Sequence, residues 1–237
     1  FGLGSPPEKH HKHFRAAETF IHVSSSELIK YLQPIMIMNA LLRKISSLKS
    51  SGIKKTIDSR VAEFEAAGNS GEDKLFSELC FCLLTANFDA ERAIKIQNQL
   101  NGEFATLSEK KLAKRLKQLG YRFPNTRAAF IAGARKHNGS LKKTLGSFNN
   151  DESARDWLVE NVKGLGYKEA SHFLRNIGRK NLAIVDFHII DILENNKLIE
   201  KPKTISKSKY FEIETVLKKL GSKAHLNQSE LDLYLWY

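Results

Sequence analysis

Two glycines one residue apart, Gly164 and Gly166, break a helical pattern and constrain this chain more than any other feature. The pattern before them ends near Val162. A second begins near Tyr167 and stops at Gly178, a residue suited to the left-handed position that closes a helix. The unit is helix, glycine hairpin, helix, over about 152–178. Without side chains, Gly164 and Gly166 let a polyanion backbone approach their N–H groups. Those groups precede a helix start, where the macrodipole favours negative charge, so both are candidate phosphate ligands.

Lys168 falls in the first turn of the second helix, beside the positive end of the dipole. That placement is expected to ease proton loss, which an amine needs before it can act as a nucleophile. Alone, the same residue reads as a surface lysine holding a phosphate. Eighteen residues later an apolar run ends at Asp186, which is placed to cap the next helix. A lysine and an aspartate are thereby expected beside a phosphate-binding hairpin.

These residues carry a resemblance. The string from Gly164 to Asn176, followed by Ala183-Ile184-Val185-Asp186, is similar to the helix-hairpin-helix DNA glycosylases. Within them it resembles the archaeal-type 8-oxoguanine DNA glycosylase/AP lyases. The resemblance runs from about Met38 to Tyr237 and includes the stretch Glu78–Asn87, Tyr121-Arg122-Phe123 and Ser229–Tyr237. It implies a base-excision enzyme with Lys168 as nucleophile and Asp186 as the catalytic carboxylate. It also implies Phe123 and Trp236 as the faces that stack an everted purine, and Asp232 as an acceptor for its edge. Taken alone, Phe123 and Trp236 read as ordinary core aromatics. Asp232 and Trp236, four apart, can line one pocket from one helix face.

Two departures stand out. The family usually carries Arg after the catalytic aspartate, where this chain has Phe187. It also continues past the Trp-Tyr pair to a terminal lysine that helps separate 8-oxoguanine from guanine. This chain stops at Tyr237, which leaves truncation and altered discrimination both open.

Composition agrees with a DNA partner. The formal net charge is +12, which reads either as a generally basic surface or, with the hairpin, as a polyanion footprint. No apolar run reaches membrane-spanning length, and no secretory leader pattern is evident. The two cysteines, Cys80 and Cys82, point to different helix faces and read as buried packing in a reduced, intracellular protein of the cytoplasm or nucleoid. Relatives with an iron–sulfur cluster use four cysteines, so no cluster is expected, and no metal on side chains. The superfamily implies a monovalent cation on hairpin carbonyls around Val162 and Leu165; no other cofactor is required. The expected partner is duplex DNA containing 8-oxoguanine or an abasic site, met by a monomer.

The remaining chain reads as all-α, in two helical lobes. Residues 1–37 read as a loosely attached leader, with a capping box at Ser24–Glu27 and with His10, His11 and His13 as leader rather than metal ligands. Residues 38–237 read as the glycosylase domain. Phe76, Leu79, Cys80, Leu83 and Leu84 form one apolar stripe on a central helix. Asp89, Ser108, Asn125 and Asp151 are expected to open helices, and Gly221 to stop one. His172 and His188 are read as structural.

Overall fold

The computed structural model describes residues 38–100 and 102–237; the expected leader features at 1–37 lie outside them. Among the described residues there is no strand. In chain order the helices are α1 (38–49), α2 (Ile53–Asn69), α3 (Glu72–Thr85), α4 (Ala90–Leu100), α5 (Glu103–Thr106) and α6 (Glu109–Gln118). They continue with α7 (Pro124–Ala134), α8 (Leu141–Gly146), α9 (Asp151–Asn161), α10 (Tyr167–Asn176), α11 (Phe187–Asn195), α12 (Lys207–Ala224) and α13 (Gln228–Leu235).

Two hydrophobic cores divide these helices into two lobes. The first gathers α3 to α9 and the buried face of α10, including Phe76, Leu79, Leu112, Ile131, Leu158, Phe173 and Leu174. The second gathers α1, α2 and α11 to α13 around Ile45, Ile57, Ile189, Ile213, Leu217 and Leu231. The chain crosses between the cores twice, between α2 and α3 and again between Leu182 and Ala183. Helix α10 serves both, since Phe173 lies in the first and Tyr167 packs on the second.

The expected stripe of α3 is buried, but so are Leu75, Phe81 and Cys82. From Leu79 to Thr85 every residue of α3 is buried, so that half has no solvent-facing side, while Asp73 and Lys74 in its first turn are exposed. Cys80 and Cys82 are free thiols, and burial pushes both well above the usual thiol range.

Local caps follow the sequence closely. Asp89 accepts from the Arg92 N–H at 2.8 Å, and Ser108 from the Lys111 N–H at 3.4 Å. Helix α9 begins at Asp151, but the capping side chain is Asn150, which accepts from the Ser153 N–H at 2.8 Å. Helix α7 starts one residue before Asn125, with Pro124 in its first turn, where a missing N–H costs nothing.

Gly221 does not stop α12, which runs on to Ala224 and closes at His225, in the left-handed region at φ 53°. A Cβ at Gly221 would lie 2.6 Å from the Gln228 amide nitrogen and 3.0 Å from the Leu226 carbonyl. The glycine makes room for the turn into α13 rather than ending a helix.

Candidate active site

The hairpin takes the expected form. Helix α9 ends at Asn161, the Leu165 N–H returns to the Val162 carbonyl at 3.1 Å, and α10 starts at Tyr167. Gly164 has φ +96°, and a Cβ there would lie 2.3 Å from the Phe130 ring, so a side chain is excluded twice over. The Gly166 N–H faces the Glu169 carboxylate at 3.3 Å. At the far end, the Gly178 and Arg179 N–H groups bond the Arg175 and Leu174 carbonyls, both at 2.9 Å, with Gly178 at φ +86°. That is the paired bonding of a Schellman stop.

Lys168 sits at the second position of α10, and Asp186 is the N-cap of α11, its carboxylate accepting from the Ile189 N–H at 2.9 Å. A capping carboxylate is held in orientation by the helix it caps. Two adjoining clefts, of about 390 and 540 Å³, are each lined by both residues. The smaller also holds Arg60, Phe81, His172, Arg175, Asp232 and Trp236. The larger is bordered by Asn87, Phe88, Phe187, His188, Lys207 and Tyr210. Volumes of this size accept a nucleotide-scale ligand.

Lys168 and Asp186 share a wall but not an ion pair. The carboxylate next to the amine is that of Glu169, with Oε1 at 3.4 Å from Nζ. Asp186 has its accepting capacity only partly used by the cap, which leaves it able to face a cation in the cleft.

Asp232 is 6% exposed and accepts from Arg175 Nη1 at 2.9 Å. Burial pushes its carboxyl up to about 6, against the pull of the Arg175 guanidinium. Trp236 lies at the end of α13, 55% exposed, with its ring stacked on His188 at 4.3 Å and 28°. One indole face is therefore supported from beneath while much of the ring is uncovered.

Comparison with known proteins settles the lineage. A family model described as 8-oxoguanine DNA glycosylase matches residues 57–226. The 8-oxoguanine DNA glycosylase/AP lyase of Methanocaldococcus jannaschii is 49% identical over 198 residues, 83% of this chain and 95% of that one. The Korarchaeum cryptofilum protein of the same name is 48% identical over 198 residues, 83% of this chain and 94% of its own length. The crystal structure of the Methanocaldococcus jannaschii enzyme superposes with a TM-score of 0.80, covering 84% of this chain and 92% of that chain. A second structure of that enzyme, in complex with a 15mer DNA containing 8-oxoguanine, gives 0.81 and covers 84% and 96%.

This chain belongs to the 8-oxoguanine DNA glycosylase family. The all-helical fold and the helix-hairpin-helix are those of the family, and the resemblance carried by the hairpin string holds.

Placed against that family, the candidate residues divide. Lys168, Asp186, Asp232 and Trp236 meet at one cleft. Phe123 does not join them: it precedes α7, is 43% exposed, and its ring lies under the Arg122 guanidinium at 4.9 Å. Its position in a loop, not in a helix facing the cleft, accounts for the separation. Phe187, the departure from the family pattern, is 71% exposed at the mouth of the larger cleft.

Arg175 had not been singled out as a site residue, yet a signal for it was there. Lys168, His172 and Arg175 are spaced i, i+4, i+7 on α10 and line the smaller cleft from one helix face. His172 is held well below the ordinary histidine range, first by burial and then by Arg175, Lys168 and Arg60. It is neutral at physiological pH, and its ring meets Phe81 edge-on at 5.6 Å.

Proposed function

We propose that this chain is a bifunctional DNA glycosylase/AP lyase that removes 8-oxoguanine from duplex DNA and then cuts the strand. The observation that carries the reading is the shared cleft wall, with Lys168 at the start of α10 and Asp186 capping α11 behind the glycine hairpin. The names of the relatives support the same activity.

The chemistry follows from those two groups. The target nucleotide leaves the stack, because its glycosidic bond is shielded inside the duplex. The Lys168 amine, once it has given up a proton, bonds to C1′ as the base departs with the glycosidic electron pair and takes up a proton. Ring opening then gives a Schiff base, which makes the C2′ proton acidic. Its removal expels the 3′ phosphate by β-elimination. Asp186 offsets positive charge at the sugar and assists proton movement. Trp236 supplies a stacking face and Asp232 an edge acceptor. Phe123 lies outside this cleft and is given no role in the reading. The N–H groups of Gly164 and Gly166 are the phosphate ligands in this reading; the Gly166 N–H would exchange its long contact to Glu169 for a phosphate oxygen.

The same proposal covers abasic-site DNA as a second substrate, a monomer as the acting species, and work on chromosomal DNA in the cytoplasm or nucleoid. No described helix is long and apolar enough to cross a membrane. The lysine chemistry requires no side-chain metal and no iron–sulfur cluster. A monovalent cation on the hairpin would use backbone carbonyls such as Val162, whose turn bond leaves a lone pair for it. Replacing potassium by choline at constant ionic strength would then weaken DNA binding.

Single-turnover excision on duplexes carrying 8-oxoguanine, uracil or thymine glycol tests the function. The 8-oxoguanine duplex should be processed fastest and end as a nicked strand. Faster release of either other base would move the assignment to that lesion, and binding with no excision at all would reduce the chain to a DNA-binding module.

Asp186→Asn separates the two duties of that residue. Asn caps helices about as well as Asp, so the fold should hold. Loss of the carboxylate should slow excision by roughly 10²–10⁴-fold while DNA affinity stays near wild type. Unchanged single-turnover excision would confine Asp186 to capping.

Asp232 predicts a pH signature. Below about 6 it gains a proton and loses its accepting charge. KM for the 8-oxoguanine duplex should rise as pH falls through that value, and Asp232→Asn should flatten the rise. Stability should rise over the same fall in pH, even as binding weakens. A raised pKa means the native state binds the proton more tightly than the unfolded chain. The stabilising contribution is complete below the ordinary 3.8 and gone above about 6. A KM flat from pH 5 to 8 would exclude Asp232 from base binding.

A further inference from the structure

The residues immediately before the two candidate catalytic groups, Tyr167 and Val185, converge on one phenol. Tyr210, on α12, is 3% exposed. Its hydroxyl donates to the Ala183 carbonyl at 2.8 Å and accepts from the Val185 N–H at 3.4 Å. It shares a hydrogen bond with the Ser171 hydroxyl at 3.2 Å, one turn beyond Lys168 on α10, and lies 3.4 Å from the Tyr167 carbonyl. One oxygen atom therefore contacts both the helix that carries Lys168 and the connecting segment that ends in Asp186.

The contacts around it are stiff. Arg155, 1% exposed, donates to the Ser171 hydroxyl at 3.2 Å and clasps Glu214 through two bonds of 2.7 and 3.0 Å. Glu214 accepts in turn from the Ala183 N–H at 3.1 Å. The Tyr210 ring is wedged against Tyr167 and Phe211, with ring centroids 5.8 and 6.1 Å apart. Burial holds the phenol well above its ordinary pKa, so it stays protonated and can keep donating.

We propose that Tyr210 is a positioning residue whose hydroxyl fixes the separation of Lys168 and Asp186 by tying Ser171 of α10 to the backbone at Ala183 and Val185. It borders the larger cleft, but it is buried and its hydroxyl is bonded to protein groups, so it takes no part in the bond to the sugar. Its effect is on geometry, and attack at C1′ is sensitive to displacements of an ångström. The inference rests on the proposed roles of Lys168 and Asp186.

Tyr210→Phe keeps the ring and its packing and removes only the oxygen. On an 8-oxoguanine duplex the variant should lose roughly 10–100-fold in single-turnover excision, with a parallel loss in the rate of borohydride trapping. DNA affinity should stay within about twofold and far-UV circular dichroism should be unchanged, since the hydroxyl is bonded to protein groups and the ring packing is kept. A merely structural hydroxyl would lower thermal stability and leave the rate of the folded fraction intact; that outcome would overturn the proposal. So would wild-type excision by Tyr210→Phe, or a loss carried wholly by DNA affinity. Wild type is run alongside: if it neither excises nor traps, the proposed function fails before the role of Tyr210 is reached. Ser171→Ala, which removes the α10 side of the tie by a second route, should show the same split between rate and affinity. Should Tyr210→Phe prove poorly folded, the Ser171→Ala rate alone decides: wild-type excision sinks the proposal.

Discussion

Lys168→Gln should abolish covalent trapping on an 8-oxoguanine duplex and lower base excision on the order of 10⁴-fold or more, while leaving DNA binding largely intact. The reasoning is local. The lysine side chain is about 29% exposed and its nearest acidic partner is the adjoining Glu169, so no buried ion pair breaks when its charge is removed. Glutamine is one atom shorter and keeps a hydrogen-bond donor, but its amide cannot form a bond to C1′ that survives as a Schiff base. Gel-shift affinity and single-turnover excision, measured on one preparation, separate the two effects. A variant that binds and still excises at the wild-type rate would remove Lys168 from the chemistry.

The largest expected effect on stability is at Arg155. Its pair with Glu214 joins α9 in the first lobe to α12 in the second, with side-chain exposures of 1% and 5%. Arg155→Met leaves the Glu214 carboxylate buried without its counter-charge and should cost about 3–5 kcal/mol. Urea unfolding with an unchanged denaturant slope is the measurement. Replacing both partners, as Arg155→Met with Glu214→Leu, should recover part of that loss, because no unpaired charge remains. Recovery should be incomplete, since the Ala183 N–H loses its acceptor, a cost of about 1–3 kcal/mol for a buried donor. A loss under about 1 kcal/mol for Arg155→Met alone would mean that the pair is hydrated in solution and does not bolt the lobes together.

Neither Arg155 nor Glu214 stood out in the sequence, and the reason is physical. They are 59 positions apart, and each looks like the solvated face of its own helix. Charged residues are rarely buried unless paired, and the pairing is a tertiary fact. Tyr210 was hidden for the same reason: its partners lie 25 to 43 residues away. What was legible was local. The hairpin glycines, the start of α10 at Tyr167, the stop at Gly178 and the cap at Asp186 each depend on a few consecutive residues. Gly221 misled because a glycine needed for close packing looks in sequence like one needed to end a helix. Phe123 shows the limit of a resemblance, which supplies a residue's role but not where the fold holds it.

The central claim is that one named amine bonds to the sugar. The most direct measurement is mass spectrometry of the borohydride-reduced complex after proteolysis, locating the residue that carries the deoxyribose remnant. The account predicts the adduct on the peptide containing Lys168 and on no other lysine. An adduct on a different lysine, or on the chain's terminal amine, would contradict it.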